Sequence, residues 1–384
     1  MAQDVIVIGL GAMGSAALYH LARRNVRVLG IDRFEPGHDR GSSHGRTRIV
    51  RQGYFEHPSY VPLVRRAYAM WRDLERECGR PLMTITGIAE IGKPDSALVR
   101  GTLAASSEHG LPHQVVDAFD LMRLYPAFRL PRDFVAVLQP DGGFVEAEGG
   151  IRAHLQLAVK AGAGIRTGEQ VLSVRQTGDQ VRVTTERGSL DAGHVIVAAG
   201  AWTTALFPDL ALPLHATRQV LLWVRPQEPE LFKAGWFPVF MIESENGIHY
   251  GFPLFGQDGL KLAKHHHARE TVDPDTYDRS VSLADKATIL DTVAQFLPAA
   301  KGPVLSAQTC LYTMAPDGDF VIDRILGQER ILLASPCSGH GFKFAPAIGD
   351  ALAELAVTGR TSYDLSRFRI GRFGQPLPAA QATR

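Results

Sequence analysis

Two arginines three residues apart could hold a small anion. Arg48 and Arg51 lie at the end of the run Gly-Ser-Ser-His-Gly-Arg-Thr-Arg-Ile-Val-Arg, whose first half belongs to a polar, glycine-rich stretch over residues 37–45. If Ile49 and Val50 pack inward, both guanidinium groups lie on one side of a helical turn and present two cations to a phosphate or a carboxylate. Because surface arginines are common, a solvated pair is the alternative interpretation.

A lysine and a tyrosine occupy a region of strand-like alternation between residues 219 and 264. Lys261 stands between Leu260 and Leu262, so its ammonium points away from the two leucines, toward either solvent or a pocket. Tyr250 follows a hairpin signal at Asn246-Gly247. A solvated lysine is the simpler reading of this pattern.

A cysteine and a histidine run are the next candidates. Cys310, in Gln-Thr-Cys-Leu-Tyr-Thr, stands ahead of a strand predicted at residues 320–323, and a buried unreactive thiol is the alternative. The run 265–267 is three histidines, but adjacent strand residues point in opposite directions and no acid or cysteine stands at ligand spacing. We therefore predict no metal site.

A glycine motif near residue 10 predicts dinucleotide binding. Gly9, Gly11 and Gly14 form GxGxxG between a β-branched strand and a predicted helix over 15–24, and a second strand ends in Asp32, 32 − 9 = 23 residues past the first glycine. The glycines allow a tight turn and close approach of a pyrophosphate to the helix N-terminus, while the acid can accept hydrogen bonds from a ribose. The motif does not distinguish NAD from FAD.

Two other glycine segments could contact the same dinucleotide. A predicted strand over 194–200 closes on Ala199 and Gly200 ahead of Trp202, which lets a cofactor lie against backbone; a plain core strand is the alternative. Residues 338–343, Ser-Gly-His-Gly-Phe-Lys, form a second glycine turn that opens a helix. Lys343 is poorly placed for the dipole of that helix, which suggests an anionic partner.

These residues must be positioned by a mixed α/β fold. Helices are predicted at residues 58–78, 95–109, 150–161, 284–297 and 342–358, and strands at 171–175, 181–186 and 330–335. The fold class we predict is α/β in two domains: a discontinuous Rossmann-type dinucleotide domain and a second, β-sheet-rich substrate domain. We place the first at residues 1–85, 150–212 and 305–384, and the second at 86–149 and 213–304.

Composition excludes several classes of protein. The chain has 384 residues, and 41 basic minus 40 acidic side chains leave a net charge of +1, which argues against a nucleic-acid binder or a membrane-surface protein. Three scattered cysteines are too few for a disulfide framework and fit a reducing compartment. The apolar stretch from Val5 to Ala22 lacks a basic leader, so we expect a cytoplasmic protein without a membrane span.

Taken together, the motifs resemble the monomeric sarcosine oxidase and N-methyltryptophan oxidase family of FAD-dependent amine oxidases, within the D-amino-acid-oxidase-like superfamily. The likeness covers nearly the whole chain: the GxGxxG unit, the arginine run, Tyr-Gly-Phe-Pro, Leu-Lys-Leu, Cys-Leu-Tyr-Thr and Ser-Gly-His-Gly-Phe-Lys-Phe. The first motif is widespread, whereas Cys-x-Tyr-Thr with Gly-His-Gly-Phe-Lys is specific to this family. The resemblance implies FAD.

The resemblance also implies roles for residues of this chain. Cys310 would form a thioether to the flavin 8-methyl carbon, Arg51 and Lys343 would bind the substrate carboxylate, and Lys261 would promote oxygen reduction through a water near flavin N5. The other residues implied at the catalytic site are Arg48 under the flavin ring, Tyr250, His265 and Tyr312. The full set of predicted cofactor contacts is Gly9, Gly11, Gly14, Asp32, Arg33, Ser42, His44, Val171, Ala199, Gly200, Trp202, Cys310, Gly339, Gly341 and Lys343.

The implied reaction is oxidation of a secondary α-amino acid to an imine that water hydrolyses, with O2 reduced to hydrogen peroxide. The partners we expect are a small amino acid and O2, acting on a monomer. Ser43, Arg46 and the segment 54–57 depart from the family pattern near Arg51, so sarcosine, N-methyl aromatic amino acids, pipecolate and proline all stay open as substrates. An NAD-dependent dehydrogenase and a flavin-binding scaffold are the alternatives.

Overall fold

The computed structural model describes residues 3–210 and 212–374, which form seven α-helices and twenty strands. The ends of the predicted dinucleotide domain, residues 1–2 and 375–384, and residue 211 lie outside the described residues. The helices are α1 Ala12–Arg23, α2 Val61–Cys78, α3 Ala97–His109, α4 Ala118–Leu124, α5 Ala147–Lys160, α6 Leu283–Phe296 and α7 Ala345–Thr358. The strands are β1 Gln3–Ile8, β2 Val28–Ile31, β3 Thr47–Val50, β4 Met83–Ile85, β5 Ile88–Gly92, β6 Gln114–Asp117, β7 Val135–Gln139, β8 Gly143–Glu146, β9 Gly164–Arg166, β10 Val171–Thr177, β11 Gln180–Thr185, β12 Gly188–Val197, β13 His215–Val224, β14 Val239–Ser244, β15 Gly247–Gly251, β16 Leu260–Lys264, β17 Thr271–Val272, β18 Val304–Met314, β19 Val321–Ile325 and β20 Gln328–Ser335.

The first sheet has the parallel centre that the dinucleotide motif predicts. Its strand order is β10-β11-β12-β1-β2-β9, and β20 joins β12 in parallel while carrying β19 beside it. Strand β1 is buried and runs parallel to both neighbours, with Ile6 in register with Leu29 and Val195. Helices α1, α5 and α7 pack together, with residues of all three in one apolar core. The Rossmann-type arrangement is thereby confirmed.

The second sheet is larger and mostly antiparallel. Its order is β17-β13-β16-β15-β14-β5-β7-β6, with β18 along β13. The hairpin signal at Asn246-Gly247 is confirmed, since Ser244 and Gly247 close the β14–β15 pair. One face packs in an apolar core that includes Leu260, Leu262 and Phe296 of α6. A small third sheet, β3-β8-β4, carries the arginine run on β3.

Two sequence expectations need correction. Arg48 lies in strand β3 and Arg51 just after it, so the pair is not on a helical turn. Cys310 lies inside the long strand β18, which the sequence reading missed, rather than in a segment ahead of a strand. The predicted boundary at residue 305 falls within β18, and because this strand pairs with β13 through Met314, we propose a boundary after Met314.

No helix in the ranges 3–210 and 212–374 is long and apolar enough to cross a membrane.

Candidate functional site

A single large cavity collects most of the predicted site residues. The predicted residues that line it are Gly9, Gly11, Asp32, Arg33, Ser42, Arg48, Arg51, Val171, Ala199, Gly200, Trp202, Tyr250, His265, Cys310, Tyr312, Gly339, Gly341 and Lys343. Gly14, His44 and Lys261 do not line it. Residues from both large sheets form its walls, so the cavity lies where the two sheets meet.

The glycine turn after β1 has the geometry that a pyrophosphate needs. Gly9 has φ +86°, and a Cβ there would lie 2.5 Å from the Ala198 carbonyl oxygen. A Cβ on Gly14 would lie 1.7 Å from the Gly9 carbonyl oxygen, so Gly14 permits close packing of α1 on the turn. At Gly11 the nearest atom to such a Cβ is the Ser43 hydroxyl oxygen at 3.4 Å, which leaves space on the cavity side. A ligand can therefore approach the backbone at Gly11.

Asp32 is held in place at the end of β2. Its buried carboxylate accepts hydrogen bonds from the backbone N–H groups of Leu10 at 2.6 Å and Phe34 at 2.8 Å. A carboxylate has about four acceptor positions, so Asp32 retains capacity for ribose hydroxyls. This placement supports the predicted dinucleotide contact.

The glycines of the second turn serve packing as well as the cavity wall. Gly339 has φ +84°, and a Cβ there would lie 2.6 Å from the Tyr312 ring and 2.8 Å from the His265 ring. A Cβ on Gly341 would lie 1.6 Å from the Pro336 carbonyl oxygen. Larger residues at either position would displace the cavity wall.

Arg48 and Cys310 form a contact between the third sheet and the second. The Arg48 guanidinium donates to the carbonyl oxygens of Thr47 at 2.9 Å and Ser42 at 2.8 Å, and it lies 3.6 Å from the Cys310 sulfur. Burial raises the pKa of the Cys310 thiol, and the nearby Arg48 charge opposes that shift. Because burial outweighs the Arg48 charge, Cys310 is a neutral thiol at physiological pH, and it lines the cavity.

Tyr250, Tyr312 and His265 form an aromatic wall near this contact. The His265 ring nitrogen Nδ1 lies 3.4 Å from the Tyr312 hydroxyl, and the two ring centroids are 5.6 Å apart. Burial lowers the pKa of His265 well below its usual range, so the imidazole is neutral at physiological pH. The wall offers polar tips without a net charge.

Arg51 has partners for both of its Nη atoms within the described residues. Its Nη2 donates to both carboxylate oxygens of Glu56, at 2.7 and 2.6 Å, and its Nη1 donates to the Gly53 carbonyl at 2.9 Å. The guanidinium lies over the rings of Tyr54 and Phe55, 4.3 and 4.6 Å from their centroids. Burial would raise the pKa of Glu56, but the Arg51 charge prevails and lowers it to about 2. A substrate anion must therefore compete with Glu56 for this cation.

Lys343 is the second buried cation beside Tyr54. Its ammonium donates to the His340 carbonyl at 2.7 Å and lies 3.4 Å from the Tyr54 hydroxyl. Burial, reinforced by the Arg51 charge, lowers the pKa of Lys343 to about 7. The charge of Lys343 is therefore sensitive to pH and to any bound anion.

Lys261 lies beneath the cavity wall rather than in it. Its ammonium donates to the carbonyl oxygens of Gly45 at 2.7 Å and Thr47 at 2.6 Å, and it lies 4.7 Å from the centroid of the Phe252 ring, which does line the cavity. The side chain is buried, so the solvated-lysine reading is wrong. Burial and the Arg48 charge lower the pKa of Lys261 well below its usual range.

His44 is buried, and both of its ring nitrogens lack a hydrogen-bond partner among the described residues. Burial and the Arg48 charge lower its pKa to about 4, so the imidazole is neutral. An unpartnered polar group this deeply buried is costly unless a further group satisfies it. Its place in the loop before β3 puts it close to the cavity without lining it.

Sequence reasoning missed the two acids that face Arg51 and the hydrogen bond between Tyr54 and His340. Glu56 and Glu90 both face this arginine, and the Tyr54 hydroxyl lies 2.5 Å from His340 Nδ1. The departure of segment 54–57 from the family pattern was the only signal, and it did not pair Glu56 with Arg51. In the described ranges no group of three His, Cys, Asp or Glu side chains is placed to hold a metal ion.

Comparisons with known proteins give consistent matches over nearly the whole chain. Residues 4–355 match the family model described as FAD dependent oxidoreductase. A monomeric sarcosine oxidase from Streptomyces avermitilis is 40% identical over 372 residues, which cover 95% of this chain and 96% of the relative. An N-methyl-L-tryptophan oxidase from Salmonella agona is 34% identical and covers 98% of this chain and 100% of the relative. Among solved structures, NikD, described as an unusual amino acid oxidase essential for nikkomycin biosynthesis, is similar with a TM-score of 0.85 at 26% identity, covering 96% of this chain and 97% of NikD.

Proposed function

Since the chain belongs to the family of FAD-dependent oxidoreductases, we propose that it oxidises a secondary α-amino acid, either sarcosine or another N-methyl amino acid. For sarcosine, the overall reaction consumes O2 and water and yields glycine, formaldehyde and hydrogen peroxide. The observation that carries this proposal is the pair of buried basic side chains, Arg51 and Lys343, that line the cavity and both lie close to the Tyr54 ring. Family membership resolves the choice between the two dinucleotides in favour of FAD.

The residues present fit this cofactor. Asp32 can receive the ribose, the open position at Gly11 can receive the pyrophosphate, and the cavity continues to Arg48 and Cys310. When bound, FAD accepts two electrons from the amine and passes them to O2. The protein has to orient the amine and exclude water around it.

The cations perform the orienting step. A substrate carboxylate would bind Arg51 and Lys343, which requires Glu56 to release at least one Arg51 Nη2 hydrogen bond. Arg51, together with Lys343 when it is protonated, would hold the carboxylate. The aromatic wall of Tyr250 and Tyr312 shapes the space left for the amine substituents. Neutral His265 leaves that space uncharged, which favours the unprotonated amine that the oxidation needs.

A peroxide-coupled assay of the purified holoenzyme tests the substrate class. Sarcosine, N-methyltryptophan, pipecolate and proline would be compared at matched concentrations, with glycine as the primary-amine control. We expect an N-methyl amino acid to have the highest kcat/KM. Peroxide formation from pipecolate or proline alone would replace the proposal with a cyclic amino acid oxidase, and activity with none of the four would reject it.

Cys310 is proposed to hold the flavin covalently. Its burial beside Arg48, and its position on the cavity wall, support this assignment. Acid precipitation of the wild-type protein should leave the flavin on the polypeptide, whereas the Cys310→Ser variant should release it. Cys337 lines the same cavity, so Cys337→Ser is the matched control and should retain the flavin. Flavin in the supernatant of the wild-type protein would reject the covalent bond.

Lys261 is proposed to promote oxygen reduction. Its buried amino group lies behind Phe252 and close to Arg48, and although both burial and Arg48 lower its pKa, a proton on it would stabilise developing superoxide. Stopped-flow measurements on Lys261→Met should show a larger loss in reoxidation by O2 than in anaerobic reduction by substrate. Equal losses in both half-reactions would place Lys261 in amine oxidation instead.

The enzyme is also proposed to be a monomer in the cytoplasm. Relatives named monomeric sarcosine oxidase support the monomer, and three free cysteines support a reducing compartment. Light scattering after size exclusion should give a mass near 41.9 kDa. A mass of twice that value would reject the monomer.

A further inference from the structure

Glu90 is a buried acid whose carboxylate has no hydrogen-bond partner among the described residues. Its side chain is 0% exposed. The cation near it is Arg51, whose Nε lies 3.8 Å from one carboxylate oxygen. An acid buried in this way destabilises a fold, and an apolar residue of similar size would pack there at lower cost. Its presence therefore points to a role at the site.

The position of Glu90 explains why its charge acts on Arg51. It lies in the middle of β5, in register with Met241 of β14 and Val137 of β7. Its strand neighbours Ala89 and Ile91 point into the core of the second sheet, so Glu90 points to the opposite face. Glu90 does not line the cavity, whereas Arg51 does.

The three sides of the Arg51 guanidinium have different partners. Nη2 binds Glu56, which lines the cavity, Nη1 binds the Gly53 carbonyl, and Nε faces Glu90. A substrate carboxylate can displace Glu56 from the cavity side, but it cannot reach the Nε side. Glu90 therefore stays on Arg51 throughout binding.

The ionisable groups that face Glu90 come from several elements. They are Arg51 after β3, Glu56 in the following loop, Lys343 ahead of α7 and Tyr68 of α2, and α3 contributes the uncharged Thr102. Burial raises the pKa of Glu90 to about 7 against the opposing effect of Arg51, and Glu56 raises it further. The carboxyl group is thus poised to change charge near neutral pH.

We propose that Glu90 is a positioning residue for the substrate carboxylate, holding Arg51 from the side away from the cavity and weakening its attraction for anions whenever Glu90 is ionised. This inference rests on the proposed role of Arg51 in carboxylate binding. Because the coupling is reciprocal, a bound carboxylate favours the protonated form of Glu90, and binding takes up protons near pH 7. The affinity for anions then falls as Glu90 loses its proton at higher pH.

Acetate, a carboxylate without an oxidisable amine, is the probe. Its Kd for the holoenzyme would be measured from flavin absorbance between pH 6 and 9 for the wild type and Glu90→Gln. We expect equal affinities at pH 6 and about fivefold tighter binding by E90Q at pH 8.5, the lower end of typical coupling between sites. Lys343 titrates in both proteins, so the difference between the two profiles belongs to Glu90.

Glu243→Gln is the matched control, since Glu243 lies on the adjacent strand β14 and binds the Leu98 N–H at the start of α3 rather than Arg51. It should follow the wild-type profile. If the acetate Kd of E90Q and of the wild type changed with pH in parallel, the inference would be overturned. Calorimetry on the wild type at pH 7 gives a second test, since acetate binding without proton uptake would also overturn it. Equal binding of acetate and neutral acetamide by the wild type would instead reject Arg51 as a carboxylate site, which separates the two failures.

Discussion

Lys261 combines structural hydrogen bonds with a proposed role in oxygen reduction, so its replacement should change both stability and activity. Its side-chain nitrogen donates hydrogen bonds to two backbone carbonyl oxygens, that of Gly45 in the loop before β3 and that of Thr47 at the start of β3. That loop also positions Arg48 through the Ser42 and Thr47 carbonyls. The lysine proposed to promote oxygen reduction therefore also holds the segment that positions Arg48 beside Cys310.

Lys261→Met should accordingly destabilise the fold as well as slow reoxidation. It removes two buried hydrogen bonds, worth about 1 kcal/mol each, although the Gly45 carbonyl still accepts from the Thr47 N–H and the Thr47 carbonyl still accepts from Arg48. We expect a lower midpoint of urea unfolding, measured by the fluorescence of the holoenzyme. Lys264→Met, three residues along the same strand and partly exposed, is the control and should unfold near the wild-type midpoint. Equal midpoints for K261M and the wild type would show that water replaces the ammonium.

At the scale of elements, the sequence predicted the helices and strands that local patterns encode. It did not predict which distant segments come into contact. The GxGxxG unit specified β1, α1 and β2 because the strand, the turn and the helix are each encoded locally. The role of β18 was missed because its apolar alternation begins only near Cys310, after an exposed and polar first half. The approach of Glu56 and Glu90 to Arg51 depends on how the loop after β3 packs on β5, which spacing along the chain does not reveal.

The two glycines Gly11 and Gly14, at the start of α1, have different roles: Gly14 is needed for packing, and Gly11 leaves space for the ligand. Gly14→Ala places a Cβ 1.7 Å from the Gly9 carbonyl oxygen, so backbone must move and we expect a loss of about 3 kcal/mol or more. Gly11→Ala meets its nearest atom, the Ser43 hydroxyl oxygen, at 3.4 Å and should fold. In a Cys310→Ser background, G11A should weaken FAD binding at least tenfold, measured by flavin fluorescence. Stable folding of G14A, or unchanged FAD affinity in G11A, would contradict this division.

At the scale of the whole molecule, the cavity joins the two large sheets, and its formation buries several groups in their neutral state. Ile8 of β1 and residues 198–200, just after β12, line it together with Leu221 of β13, Met241 of β14 and Tyr250 of β15. Neutral histidines are part of this arrangement and also of the helical layer behind the first sheet. Burial lowers the pKa of His20, His44 and His340 to about 4 and that of His154 to about 3. Folding therefore competes with protonation of these imidazoles.

The stability of the holoenzyme should fall as the pH decreases from about 7 to 5. An unfolded histidine takes up a proton near pH 6.5, whereas these four stay neutral in the fold until about pH 4, so unfolding takes up protons and acid favours it. Glu90, whose pKa is raised to about 7, already carries a proton in the folded protein at pH 5 and releases it on unfolding. It therefore offsets the proton taken up by one of the four histidines. Unfolding therefore takes up protons on balance, and the buried neutral His265 acts in the same direction, so the free energy of unfolding falls as the pH decreases. Urea unfolding at pH 7, 6 and 5 measures it, with His154→Gln expected to reduce the slope by one proton and exposed His215→Gln to leave it unchanged. A stability that is flat over this range would show that the four imidazoles are solvated rather than buried.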